Sequence, residues 1–198
     1  MDSSEASSTS PPPSVRVLDL LIRPRSIMET LGSSTHVPFT PMWSVLAAAG
    51  IVFYLILSVY PQEGFGFSDA LATLGLVSPA VGLLGFRLCG WVLSKSGKFF
   101  GGNASATLCH GALAVGLLPL GVTLLVSLPV FILAPSDSIA GWIPMFALMQ
   151  MLGTIGSAIN TVQAVSGVMR VSKLHAVVSL MGMFGFIYAV FYLLQALN

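Results

Sequence analysis

An all-α integral membrane protein is the fold class this sequence predicts: a bundle of five transmembrane helices behind an N-terminal interfacial amphipathic segment. Three observations predict it. Of 198 residues, 55% are hydrophobic and only 8% are charged, against roughly 25% charged in a soluble domain. Mean hydropathy is +0.91. Eight Lys or Arg and seven Asp or Glu cannot cover a soluble surface of this size. The composition excludes a soluble single-domain enzyme, a disordered chain and a nucleic-acid binder.

Residues 1–14 are rich in Ser, Thr and Pro and end in Pro11-Pro12-Pro13-Ser14, which predicts a disordered tail. The acidic opening Met1-Asp2-Ser3-Ser4-Glu5 has no basic n-region and is no signal peptide. Asp at position 2 also excludes the myristoylation pattern. Residues 15–37 form the cytoplasmic amphipathic region. Val15, Leu18, Leu21, Ile22, Ile27 and Leu31 alternate there with Arg16, Asp19, Arg23, Arg25 and Glu29. Pro24 divides the segment and Gly32 stops it. Short helices lying on the membrane, or packed on the bundle, both suit this pattern.

The membrane domain covers residues 38–198. Apolar stretches at about 43–60, 70–93, 107–133, 139–165 and 174–197 each approach the roughly 20 residues that cross about 30 Å of hydrocarbon. Trp43 and Tyr60 bracket the first stretch as an aromatic belt would. Pro79, Pro119 and Pro129 predict kinks. Ala112 with Gly116, and Gly153 with Ser157, are small-xxx-small pairs that permit close helix approach.

The charges give an orientation. Arg16, Arg23 and Arg25 precede the first stretch, Lys95 and Lys98 follow the second, and Arg170 and Lys173 follow the fourth. Arg87 sits near the Lys95 end and can snorkel to the same side. The intervening loops carry Glu63, Asp69 and Asp137 and no cation. The positive-inside rule then places the N-terminus in the cytoplasm and the C-terminus opposite. Arg23, Arg25, Lys95, Lys98, Arg170 and Lys173 become candidate contacts for lipid headgroups or a partner. On this topology the acceptor pattern Asn103-Ala104-Ser105 faces the cytoplasm and carries no glycan.

Little in the sequence could carry reaction chemistry. No Asp or Glu lies inside a stretch, which argues against proton coupling, carboxylate-bound metal and intramembrane aspartyl proteolysis. The expectation is no enzyme, no catalytic residue, no cofactor and no metal. Cys89 and Cys109 read as small hydrophobes. His110 and His175 sit near the cytoplasmic ends of the third and fifth stretches and read as locally satisfied, the alternative being a shared metal. Ser94 to Gly102 resembles a phosphate loop only superficially, since Phe99 follows Gly97-Lys98 where Ser or Thr is required. An interfacial hairpin fits better, with Lys95 and Lys98 at phosphates and Phe99 and Phe100 dipping into the interface. Gly101-Gly102 would then reverse the chain.

The fourth stretch carries a polar stripe. Gln150, Thr154, Ser157 and Thr161 follow i, i+4, i+7, i+11 along about 16 Å of one helix face. Asn160 and Gln163 flank it. Lipid cannot satisfy such a face, so it should meet other helices or line a wet path. His175, Ser179 and Gly182 share a face of the fifth stretch and are its expected partners.

The ordered set of features resembles the Yip domain family, the Ypt/Rab-interacting membrane proteins, and its compact prokaryote-like branch in particular. The resemblance rests on Arg23-Pro24-Arg25, the five stretches, Gly101-Gly102, Pro119 and Arg170-Val171-Ser172-Lys173-Leu174-His175-Ala176, and covers about residues 16–197. It implies a non-enzymatic multi-pass protein acting in membrane organisation or trafficking, or as an accessory to other membrane proteins. The bilayer, and other membrane proteins or a second copy, would be its partners. No Asp-Leu-x-Gly-Pro motif is present, and Val17-Leu18-Asp19-Leu20-Leu21 is a poor substitute, which argues against a Rab-type GTPase. The prokaryote-like branch implies a bacterial inner membrane, and a eukaryotic endomembrane is the alternative. A small transporter or channel subunit, with a path along the stripe, is the alternative function.

Overall fold

The computed structural model describes residues 17–31, 40–59, 67–133 and 139–196. The expected tail at 1–14, the acidic residues Glu63 and Asp137, and Tyr60 lie outside them. The described chain is all-helical: α1 (Val17–Ile22), α2 (Pro24–Leu31), α3 (Thr40–Val59), α4 (Phe67–Ala80), a π-helical segment (Val81–Gly85), α5 (Phe86–Lys98), α6 (Ala106–Gly116), α7 (Leu118–Leu133), α8 (Ile139–Met169) and α9 (Lys173–Ala196).

Three helices are long and apolar enough to cross a membrane: Leu71–Lys98, Gly141–Met169 and Lys173–Val190. A fourth joins them if Ala106–Gly116 and Leu118–Val130, bent by 40°, are one span. The apolar part of α3, Thr40–Ile56, is shorter. Their outer faces expose large apolar side chains, among them Leu152, Ile155, Phe184 and Tyr188. Surface of this kind suits hydrocarbon rather than water.

The centre of the bundle is α6, where Leu108, Cys109 and every residue from Gly111 to Gly116 are buried. It packs on α5, α8 and α3. Close crossings depend on glycine. A Cβ on Gly90 would stand 2.7 Å from the His110 nitrogen, and one on Gly50 would stand 2.4 Å from the Leu120 carbonyl carbon. A second, smaller core joins α3, α7 and α8 at the other end, where Phe53 and Phe146 meet edge to face at 6.3 Å.

Proline shapes the chain less uniformly than its chemistry alone predicts. Pro129 and Pro144 lie inside continuous helices. Pro79 is followed within two residues by the π-helical segment, a wider turn that re-satisfies backbone groups freed by the ring. Beside Pro119 the helix breaks, at Leu117 between α6 and α7, as it does at Arg23 before Pro24.

Several expectations need correction. Trp43 is 2% exposed and belongs to the core, so it is no belt residue; the substantially exposed tryptophans are Trp91 and Trp142. Lys95 and Lys98 stand on the last turns of α5 rather than in a hairpin, and only residues 99–105 link α5 to α6. In the N-terminal segment, α2 packs on the bundle. Pro24, Met28 and Leu31 of α2 are buried against α8. A Cβ on Gly167 would stand 2.6 Å from the Arg25 carbonyl oxygen. Leu18 and Ile22 of α1, four residues apart, stay exposed.

Candidate functional site

The six candidate cations come from three separate parts of the chain, and the fold draws those parts to one end of the bundle. Gly97, beside Lys98, meets the Met169 side chain, beside Arg170. Phe100 stacks on His175 with centroids 6.1 Å apart, which ties the α5–α6 link to the start of α9 beside Lys173. Ser96 Oγ donates to the Ser179 carbonyl at 3.1 Å. Arg25 lies over Gly167, and Asn160 Nδ2 donates to the Leu21 carbonyl at 3.2 Å. These contacts hold Arg23, Arg25, Lys95, Lys98, Arg170 and Lys173 on one rim. Two are locally engaged: Arg25 Nε pairs with Glu29 Oε1 at 2.7 Å, and the Lys95 ammonium lies 5.9 Å from the Trp91 ring centroid.

Two helix ends at this rim share one backbone motif. After α5, Gly101 N donates to Lys98 O and Gly102 N to Gly97 O, with Gly101 at φ 79°. After α8, Arg170 N donates to Gly167 O and Val171 N to Ser166 O, with Arg170 at φ 55°. Both are Schellman caps, whose left-handed position normally takes glycine. Gly101 reverses the chain as its sequence predicts. Arg170 occupies the same conformation with a side chain, which costs about 1 kcal/mol.

The polar stripe of α8 divides. Ser157 is 1% exposed, and its Oγ accepts the Leu120 N–H at 3.2 Å. Thr161 is buried against Gly116. Gln150 is fully buried, its Oε1 accepting from Thr123 Oγ1 at 3.3 Å. That hydroxyl also donates to the Leu120 carbonyl at 2.8 Å, and one proton cannot serve both. Turning the Gln150 amide over lets its NH2 donate to Thr123 Oγ1 and removes the conflict. Thr154, by contrast, is exposed and bonds the Gln150 carbonyl of its own helix at 2.8 Å. Three members of the stripe are therefore buried against α6 and α7, and Thr154 is exposed.

The expected partners on α9 turn elsewhere. Ser179 and Gly182 face α5 through Ser96, because α9 crosses between α5 and α8 rather than lying flat on the stripe. His175 Nδ1 meets Ser172 Oγ at 2.9 Å. His110 Nε2 meets Ser44 Oγ at 2.8 Å. Since Ser44 Oγ donates to the Thr40 carbonyl at 2.7 Å, His110 is the donor in that pair and carries its proton on Nε2. The two histidines thus have separate local partners. Among the described residues no three His, Cys, Asp or Glu side chains come together in a group that could hold a metal. Cys89 and Cys109 are both free thiols.

One feature is absent from any sequence pattern. Between α8 and α9, backed by α5 and the α6–α7 break, lies a cavity of about 530 Å³. Cys89, Leu113, Leu117, Leu120 and Met183 form its floor, and Thr154, Ala158, Met181 and Phe184 its mouth. A shallower groove of about 340 Å³ shares Ala158 and Val162 with it and continues past Gln163 to Lys173. The cavity exists because Pro119 bends α7 away below Leu117 while α9 leans on α5. No single helix encodes it.

No family model, no curated protein and no solved structure matches this chain.

Proposed function

We propose that this chain is a non-enzymatic five-span integral membrane protein of the Yip type. It would act in membrane organisation, or as an accessory to other membrane proteins, through a cytoplasmic cationic rim. One observation carries the reading: Arg23, Arg25, Lys95, Lys98, Arg170 and Lys173, from three separate parts of the chain, lie at one end of the bundle. Near the bilayer, each such cation attracts anionic headgroups or acidic partner segments. The 20 residues of α3 rise about 30 Å, which supports counting it as a span. The bent α6–α7 pair supports another. The Yip likeness itself rests on the residues quoted for it and on no family-model match. A bacterial inner membrane, with the N-terminus in the cytoplasm, follows from the same reading.

The alternative, a transporter or channel subunit with a polar path along α8, has less support. Gln150 is buried against α7, and although Thr154, Ser157 and Thr161 border the cavity, its wall is otherwise almost wholly apolar.

The test is charge reversal of Lys95, Lys98, Arg170 and Lys173 to Glu in the full chain. Crosslinking and co-purification from native membranes, together with enrichment of anionic lipid around the reconstituted protein, should both weaken. Unchanged partner and lipid profiles would overturn the reading.

A further inference from the structure

We infer that the groove between α8 and α9 is a binding site for one anionic phospholipid of the surrounding bilayer. One acyl chain would fill the cavity and the phosphate would sit at Lys173. The inference rests on the five-span reading and deepens it.

Four observations combine. First, the mouth is lateral. Thr154 and Ala158 on α8 and Met181 and Phe184 on α9 are exposed and line the cavity. Around them Met151, Leu152, Ile155, Ile159 and Val178 are exposed as well. On membrane-crossing helices such a surface faces hydrocarbon, so the opening receives acyl chains and not water. Second, the size suits: about 530 Å³ lies within the roughly 300–1,000 Å³ of ligand sites. Third, the depth suits. From Thr154 to Val162 the cavity runs eight residues along α8, about 12 Å, within one leaflet's share of about 15 Å. Fourth, the route to the surface is polarised. The shallower groove leaves the cavity at Ala158 and Val162, passes Gln163 and ends at Lys173. A chain entering the cavity therefore has its headgroup led to an ammonium, where a phosphate is favoured.

The apolar floor explains why a chain would stay. Phe86, Leu113, Leu117, Leu120, Leu180 and Met183 line it, and a tail there contacts solid protein on several sides instead of mobile neighbours. In a membrane the gain comes from packing and not from leaving water. Methionine adapts to a chain of variable conformation.

The test uses the full chain in vesicles of phosphatidylglycerol with phosphatidylcholine, doped with either lipid carrying a diazirine near the middle of one acyl chain. After illumination, crosslinked residues are mapped by mass spectrometry. Crosslinks concentrated on Cys89, Met181, Met183 and Phe184, and stronger from the phosphatidylglycerol probe, are expected. Ala158→Trp, at the exposed mouth, should remove them, while Lys173→Gln should keep them and cut the preference for phosphatidylglycerol about fivefold. Crosslinks spread evenly over the outer faces of α8 and α9, unmoved by Ala158→Trp, would overturn the site. So would a second copy of this chain trapped at the mouth by a disulfide through Met181→Cys. Labelling of Ser172→Cys by a membrane-impermeant maleimide from each side separates the two readings. Labelling from the outside alone would sink the topology while leaving the crosslink map to decide the groove.

Discussion

Ser157 Oγ receives the N–H of Leu120 at 3.2 Å, one residue past Pro119. Leu120 N also reaches back to Leu117 O at 3.1 Å. The serine thus supports the backbone at the point where the third apolar stretch breaks. A hydroxyl on one helix is positioned by the needs of a proline on another, and in hydrocarbon no water could replace it.

Loss of that hydroxyl should destabilise the bundle locally. Ser157→Ala is expected to cost about 1 kcal/mol, the net worth of a buried hydrogen bond. Thr154→Ala, which removes only a bond within its own helix, should be nearly neutral. Thermal unfolding in one detergent, followed by circular dichroism, compares them. Equal losses would contradict the division of the stripe.

The glycines at helix crossings should not accept a methyl group. Gly50→Ala places a Cβ 2.4 Å from backbone atoms of Leu120, and Gly90→Ala places one 2.7 Å from the His110 nitrogen. Backbone cannot yield as a side-chain tip can, so each should cost about 1–3 kcal/mol. Gly75 has nothing within 4 Å of its Cβ position, and Gly75→Ala should gain about 0.5–1 kcal/mol of helix propensity. The three variants measured side by side check the packing of α3 and α5.

Arg170 offers a separation of stability from charge. Arg170→Gly relieves a left-handed side chain and should stabilise the α8 cap by up to about 1 kcal/mol. It should also weaken anionic-lipid enrichment at the rim. Arg170→Ala removes the same charge without that relief. If both variants shift the melting temperature equally, the cap argument is wrong.

Thiol reactivity should follow the cavity. Cys89 is half-buried on its wall, and Cys109 is 1% exposed in the core. N-ethylmaleimide should label Cys89 first, since access governs reaction at a free thiol. Ala158→Trp should slow that labelling by narrowing the mouth. Faster labelling of Cys109 would place the opening elsewhere.

How much of this was legible in advance differs by feature. Each apolar stretch falls largely within helix because length and composition alone demand it. Convergence of the cations was legible as well, since alternation of charged and uncharged loops fixes which helix ends are neighbours. Periodicity served less well. It put Thr154 on the face of Gln150 and Ser157, but a helix face about 16 Å long spans more than one neighbour, and α7 turns away before covering Thr154. Trp43 looked like an interfacial anchor because it opens an apolar run; its burial depends on the helices packed around α3, whose positions no local pattern records. Lys95 and Lys98 read as loop because charge and Gly97 ended the apolar run, yet one glycine costs a helix only about 1 kcal/mol and packing against Met169 offsets it. The cavity had no local signal. It arises from one broken helix and the lean of another.

The π-helical segment Val81–Gly85 sets the phase of everything after it. A π turn holds one more residue than an α turn, so the helix beyond it is advanced by about 100° against the ladder before it. Within the segment, Gly82 lies under the Ser44 carbonyl; beyond it, Gly90 lies under the His110 backbone and Gly97 under Met169. Deleting a single residue from Val81–Gly85 would restore regular pitch and leave every side chain chemically intact. It would also swing Gly90 and Gly97 off their seats and carry Lys95 and Lys98 round the helix. The chain's length at this point is therefore as much a determinant of the rim as the identity of any lysine on it.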